Sequence, residues 1–94
     1  RSNQLVKITQ ERKMIMLNIE TTIGTFEKAK ALVHIAMKFA EDIDVCSGHY
    51  VIDAKSIMGV LSLDVSKPVT LRLHADHTNV TTRFIEELHM AGII

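Results

Sequence analysis

Residues 13–40, KMIMLNIETTIGTFEKAKALVHIAMKFA, change their hydrophobic period half-way along the stretch. In the first part, every second residue is apolar and points to one face, and the residues between them point to the other face. This pattern is typical of a strand with one covered face. Those of the second part recur every three or four positions, which predicts a helix of about four turns. The inward residues are Ile15, Leu17 and Ile19 in the strand, and Ala29, Leu32, Val33, Ala36, Phe39 and Ala40 in the helix. The stretch therefore predicts a strand over residues 13–20 and a helix over residues 26–40.

The rest of the chain repeats these two periods. We place strands at residues 42–46, 49–53 and 69–76, and helices at residues 56–63 and from Thr78 or Asn79 to Gly92. Ser56 stands in the N-cap position of the shorter helix, and Ser47-Gly48 favours a hairpin turn. The order β-α-β-β-α-β-α predicts an α+β fold, a two-layer open-faced β-sandwich in which three helices cover one face of a four-stranded antiparallel sheet. The uncovered face would carry Met14, Met16, Asp42, Asp44, Arg72 and His74.

Composition narrows the class of protein. The chain has 94 residues, enough for one compact domain, and 11 basic against 11 acidic side chains, which argues against a nucleic-acid partner. No apolar run approaches the roughly 20 residues of a membrane-spanning helix, so we expect no membrane insertion. The single cysteine, Cys46, excludes an internal disulfide framework and fits a cytoplasmic location. Residues 1–12 are polar, so we expect an N-terminal extension that is loose or weakly docked, followed by the domain over residues 13–94.

A second stretch, residues 53–63 (DAKSIMGVLSL), closely resembles the segment around the regulatory serine of the HPr family. HPr proteins are the small phosphocarriers of the bacterial phosphoenolpyruvate-dependent sugar phosphotransferase system. The resemblance extends over residues 13–94, and the β-α-β-β-α-β-α order is also that family's fold. It implies a cytoplasmic protein with protein partners and no cofactor.

The other signature of that family is altered in this chain. HPr-like proteins usually carry Gly-(Ile/Leu)-His-Ala-Arg-Pro-Ala at the start of the first helix, and the gapless count from Ser56 aligns that run with residues 23–29, IGTFEKA. Thr25 then stands in place of the phosphoaccepting histidine, Glu27 in place of the arginine and Lys28 in place of the proline. A threonine phosphate ester is too stable to pass its phosphoryl group on, and Glu27 would repel a phosphate. We therefore expect no phosphocarrier transfer and no enzymatic activity.

Ser56 is the candidate regulatory residue. In the resembled family the matching serine is phosphorylated by a dedicated kinase, and the positions of Ile57, Met58 and Leu61 belong to a docking patch for enzyme I, the serine kinase and a transcriptional regulator. A phosphate would add roughly −1.5 to −2 charge beside that patch and could change which partner binds. The catabolite-repression HPr-like protein similarly lacks the histidine and keeps the serine. The resemblance thus implies a regulatory, non-catalytic protein of the sugar phosphotransferase network.

Two alternatives remain open at this stage. A displaced histidine, such as His34 on the first helix, could carry a phosphoryl group in place of Thr25. The chain could instead be a structural module that self-associates through Met14 and Met16 on the open sheet face. His74, Asp76 and His77 come from one short run and are too few for a zinc site with supporting contacts, so we expect no metal.

Overall fold

The computed structural model describes residues 6–11 and 14–94. Within these residues the chain forms five strands and three helices. In chain order they are β1 (Val6–Glu11), β2 (Met14–Thr22), α1 (Phe26–Met37), β3 (Ile43–Ser47), β4 (Tyr50–Asp53), α2 (Ile57–Leu61), β5 (Pro68–Ala75) and α3 (Thr78–Met90). From β2 to α3 the order is β-α-β-β-α-β-α, and the predicted α+β class is confirmed.

The strands form one antiparallel sheet in the order β1-β2-β5-β3-β4. The four predicted strands are therefore neighbours, and β1 extends the sheet at its β2 edge. Val6 lies opposite Ile19 and Ile8 opposite Leu17. The division into an extension over residues 1–12 and a domain over residues 13–94 stays a prediction, because residues 1–5, 12 and 13 lie outside the described residues.

The core lies between the sheet and the helices. The burial of β2 alternates along the strand, with Ile15, Leu17 and Ile19 buried against the helical layer. Phe39, just beyond α1, meets Phe84 of α3 edge to face, with ring centroids 5.5 Å apart and planes at 86°. Such a contact stabilises beyond the area it buries, so it holds the two long helices together.

The opposite face of the sheet is uncovered and polar, as the alternation predicts. Met16 pairs in register with His74, and Asp44 pairs with Arg72; all four side chains are half-buried. The Nε2 atom of His74 lies 3.0 Å from Oδ2 of Asp44, and Arg72 Nε donates to Asn18 Oδ1 at 3.1 Å. Cross-strand pairs of this kind stabilise the sheet where no helix covers it.

The helix boundaries differ from the prediction in three places. α1 ends at Met37 because the N–H groups of Lys38 and Phe39 bond to carbonyls three residues back, which tightens the last turn. α2 ends at Leu61, where Ser62 is the C-cap. The N-cap of α3 is His77, without a side-chain cap bond, so the prediction of Thr78 or Asn79 was wrong. No helix among the described residues combines the length and apolar character that a bilayer crossing requires.

Candidate functional site

Ser56 is the N-cap of α2, as the sequence predicts. Its backbone is extended, with φ −93° and ψ 105°, and its Oγ accepts a hydrogen bond from the N–H of Gly59 at 3.2 Å. The side chain is exposed, so the hydroxyl is open to solvent while it caps the helix. A serine in this position satisfies one of the N–H groups that the first helical turn leaves unpaired.

The turn between β4 and α2 holds Ser56 in place. Asp53 Oδ1 accepts from the N–H of Lys55 at 2.9 Å, and the Asp53 carbonyl accepts from the N–H of Ser56 at 2.9 Å. Buried Ala54 donates its N–H to the Ile43 carbonyl at 2.8 Å. Asp53 is therefore engaged in forming the turn, and the turn is anchored to the sheet on one side of Ser56.

Gly59 lets α2 lie close to β4. A Cβ atom at this position would stand 2.7 Å from Cγ2 of Ile52 and 3.2 Å from Oγ of Ser56. The first distance is far below van der Waals contact, so any larger residue would push the helix away from the strand. Gly59 also supplies the N–H that Ser56 accepts, so one residue sets both the cap and the packing of α2.

We call Ile57, Met58 and Leu61 the α2 patch. Met58 is 78% exposed and Ile57 is 39% exposed, whereas Leu61 is half-buried and packs against the core. The first turn of α2 reads IMGV and carries no acidic side chain. The exposed hydroxyl of Ser56 therefore lies next to a small apolar surface with no carboxylate in the same turn.

Thr25 is the N-cap of α1, a role that the sequence analysis did not assign to it. Its φ is −136° and its ψ 160°, and its Oγ1 accepts from the N–H of Lys28 at 3.1 Å. Gly24 before it has a φ of +93°, a conformation that side chains rarely adopt, and donates its N–H to the Val65 carbonyl at 2.8 Å. The sequence signal that could have predicted this N-cap is a threonine directly before the apolar helical pattern of α1.

The charges at the start of α1 do not favour a phosphate there. Glu27 is exposed in the first helical turn, where its carboxylate complements the helix dipole and would repel an anion. Lys28 is half-buried, and its side chain extends toward Gly92, with Cε 3.8 Å from where a Cβ of that glycine would lie. The hydroxyl of Thr25 caps the helix, and the acidic side chain beside it is the feature that disfavours an anion at this helix start.

The turn after α2 connects the end of that helix to the start of α1. Asp64 Oδ1 accepts from the hydroxyl of Ser66 at 2.6 Å and from its N–H at 3.1 Å. The hydroxyl bond, then the backbone bond, hold the pKa of the Asp64 carboxyl below its ordinary value, because both favour the charged form. Val65, between them, supplies the carbonyl that Gly24 bonds to. The turn therefore places the end of α2 beside the beginning of α1.

The structure does not gather the histidines into a site. His34, His49, His77 and His89 are exposed and lie on different elements, and His74 is paired with Asp44 on the open sheet face. Cys46 is a half-buried free thiol on β3. Across residues 6–11 and 14–94, no three or more histidine, cysteine, aspartate or glutamate side chains are arranged to hold a metal ion. His34 on α1 is therefore an isolated exposed imidazole.

Comparison with known proteins places this geometry in a family. The family model for the HPr component phosphorylation site of the phosphotransferase system matches residues 26–88, about two thirds of the chain. The crystal structure of HPr-C-His from Thermoanaerobacter tengcongensis is similar with a TM-score of 0.59 and 27% sequence identity, over 85% of this chain and 94% of that one. The chain belongs to the HPr family of the phosphotransferase system, a family of phosphocarriers that interact with other proteins of that system. The predicted family and fold are confirmed.

Proposed function

We propose that this chain is a regulatory, non-catalytic member of the HPr family that acts in the cytoplasm through protein–protein contacts. Its switch is phosphorylation of Ser56, and its contact surface is the α2 patch. The proposed partners are other proteins of the same network: enzyme I, the serine kinase or a transcriptional regulator. The single observation that carries the proposal is the exposed hydroxyl of Ser56 directly beside exposed Ile57 and Met58.

The surroundings of Ser56 support a phosphate there. The N–H of Gly59 in the first turn of α2 donates to the capping oxygen, and charge-assisted bonds from N–H to a phosphate oxygen are stronger than bonds to a neutral hydroxyl. Asp53, the nearest acid in sequence, has one carboxylate oxygen bonded to the N–H of Lys55. The added charge would change the character of the α2 patch without requiring α2 to unfold.

The start of α1 supports the absence of phosphoryl transfer. Thr25 offers a hydroxyl in place of an imidazole, and exposed Glu27 lies in the first helical turn. A phosphocarrier needs a nitrogen nucleophile whose phosphoramidate is easily transferred, and neither Thr25 nor Glu27 provides one. The proposal therefore assigns this helix start a structural role.

Incubation with the cognate serine kinase and ATP, followed by intact-mass measurement, tests the switch. We expect one phosphate on the wild type and none on Ser56→Ala. Ser62→Ala is the matched control, since Ser62 is an exposed serine at the other end of α2, with its hydroxyl bonded to the Gly59 carbonyl at 2.6 Å. Phosphate on Ser56→Ala, or none on the wild type, would remove Ser56 as the switch.

A second assay tests the proposed absence of phosphoryl transfer. Enzyme I and phosphoenolpyruvate should leave the wild type without an acid-labile adduct, and the Thr25→His/Glu27→Arg variant should acquire one, because it gains an imidazole and a guanidinium for the phosphate. An acid-labile adduct on the wild type that disappears in His34→Gln would instead identify His34, the exposed imidazole on α1, as a displaced carrier.

A further inference from the structure

We infer that the solvent-facing side of α1 binds a second copy of this chain, with the two α1 helices antiparallel about a two-fold axis. The surface consists of Glu27, Ala31, His34 and Lys38, which we call the α1 seam. The inference does not depend on phosphorylation of Ser56 or on the α2 patch, and it differs from self-association through Met14 and Met16.

The α1 seam runs along one side of α1. Its residues follow each other at intervals of four, three and four, so they share one side of the helix. The core-facing residues of α1 are Ala29, Leu32, Val33, Ile35 and Ala36, so the seam lies on the side of the helix away from the sheet. Glu27, His34 and Lys38 are exposed and Ala31 is half-buried. The helix thus has a second side, opposite the one that packs into the core.

The order of residues along the α1 seam makes it complementary to itself. The intervals read the same in both directions, so an antiparallel copy places each position opposite another seam position. Glu27 then meets Lys38 of the second copy at both ends, and the small Ala31 meets the larger His34 at both positions near the axis. A two-fold interface pairs each patch with itself in this way. A parallel arrangement would place like charges together, so the charges select the antiparallel one.

The neighbouring surface offers room and apolar area. A groove of ≈ 590 Å³ runs between α1 and α3 and is lined by the α1 seam together with Lys30, Ile35, Glu87, Met90 and Ala91. Met90, which lines this groove, is 84% exposed. Methionine side chains adapt to the surface that they meet, so Met90 can pack against the second copy. The central Ala31 permits the close approach of the two helix axes.

Lys38 is held at the edge of this surface. Its Nζ lies 3.0 Å from Oε1 of Glu87 on α3, and its side chain is 58% exposed. The pair leaves other donor positions of the ammonium free for a second carboxylate. Lys38 can therefore bond to Glu87 of its own chain and to Glu27 of the other copy together.

Sedimentation velocity over a concentration series, from low micromolar to near millimolar, tests the interface. We expect the wild type to move from the 10.5 kDa monomer toward twice that mass. Glu27→Lys and Lys38→Glu should each weaken the dimer by about 10- to 30-fold, because two attractive pairs become repulsive. Ala31→Arg should weaken it at least as much by keeping the helices apart. Circular dichroism of each variant confirms that it is folded.

A mixture of the two charge variants gives the sharper result. Glu27→Lys carries lysine at both ends of the seam and Lys38→Glu carries glutamate at both, so each repels itself and attracts the other. Equimolar mixing should restore a dimer of mixed composition. A wild type that stays monomeric throughout the series would overturn the inference. So would a dimer that resists Glu27→Lys and Ala31→Arg but is lost in the open-face control Met14→Lys.

Discussion

Two helix starts in this protein use the same capping chemistry in different surroundings. At the start of α1, Thr25 accepts from the N–H of Lys28 at 3.1 Å; at the start of α2, Ser56 accepts from the N–H of Gly59 at 3.2 Å. The first turn of α1 contains the acid Glu27, whereas the first turn of α2 exposes Ile57 and Met58. The caps are alike, and the side chains around them separate a structural helix start from a candidate regulatory one.

Under the proposed function, phosphoryl transfer is absent while the fold is kept. A threonine satisfies the open N–H groups of α1 as a cap, so a chain without an imidazole at this place still begins the helix correctly. An exposed acid in the first turn also stabilises the helix dipole while it disfavours a phosphate. The stability of α1 therefore does not require a histidine at its start. Only phosphoryl transfer would require one.

Among substitutions at the two helix starts, Gly59→Ala should lower the free energy of unfolding the most. The added methyl would lie 2.7 Å from Cγ2 of Ile52, so α2 must move from β4. We expect a loss of about 1–2 kcal/mol in the free energy of unfolding, the overpacking cost reduced by the better helix propensity of alanine. Urea denaturation measures it.

A double-mutant cycle controls this prediction. In an Ile52→Ala background the methyl that meets the new Cβ is gone, so Gly59→Ala should cost clearly less than in the wild type. An equal cost in both backgrounds would show that contact with Ile52 is not the cause.

The substitution Thr25→Ala should have the next largest effect. It removes the acceptor for the N–H of Lys28 at the beginning of a helix of 12 residues. We expect a loss of about 1 kcal/mol in the free energy of unfolding, measured by urea denaturation. Thr25→Ser keeps the hydroxyl and should stay close to the wild type; a loss as large as that of Thr25→Ala would contradict the capping role.

The substitution Ser56→Ala should cost less, about 0.5 kcal/mol, at the low end for a cap. α2 has five residues, so its first turn can open locally with little effect on the rest of the chain. Ser56→Asp restores a capping oxygen and should recover most of the loss in thermal unfolding. If Ser56→Ala destabilised the protein more than Thr25→Ala, Ser56 would be the stronger structural cap of the two.

The smallest expected effect concerns the turn that joins the end of α2 to the start of α1. The hydrogen bonds from Ser66 lower the pKa of Asp64 in the folded chain below the ordinary value of 3.8. A lowered folded pKa means that the charged carboxylate stabilises the fold above that ordinary value, and that this contribution is lost as the pH falls through the lower, folded value. Thermal unfolding against pH should therefore show a slight acid-side loss in the wild type that Asp64→Asn lacks. Identical profiles would contradict the linkage.

Much of the fold follows from the hydrophobic periodicity of the sequence. Alternation in β2 and the three-and-four spacing in α1 and α3 mark the faces that the structure buries, because a covered face must be apolar to compensate for the ordering of the chain. β1 was missed, since only Val6 and Ile8 alternate with polar residues in its short sequence and its pairing with β2 depends on the neighbouring strand. The hairpin turn lies at Gly48 and His49, one residue later than predicted, because Ser47 pairs with Tyr50.

Part of the candidate site could be predicted from the sequence, and part of it could not. Ser56 was found from local sequence, because an N-cap is a short-range signal that lies next to the helix it begins. The partners of the start of α1 come from far along the chain: Gly24 bonds to Val65, and Lys28 extends toward Gly92. The exposure of Met58 and the burial of Leu61 likewise depend on how α2 lies against its neighbours.

Short-range patterns in the 94 residues were enough for the fold class and the cap of α2, because hydrophobic period and capping act between residues close along the chain. The family was indicated by the resemblance of residues 53–63 to the segment around the regulatory serine of HPr proteins. The edge strand β1, the close approach of Gly59 to Ile52 and the pairing of Lys38 with Glu87 needed the folded chain. Each of these depends on a distance across space between elements, and the local spacing of residues carries no information about such distances.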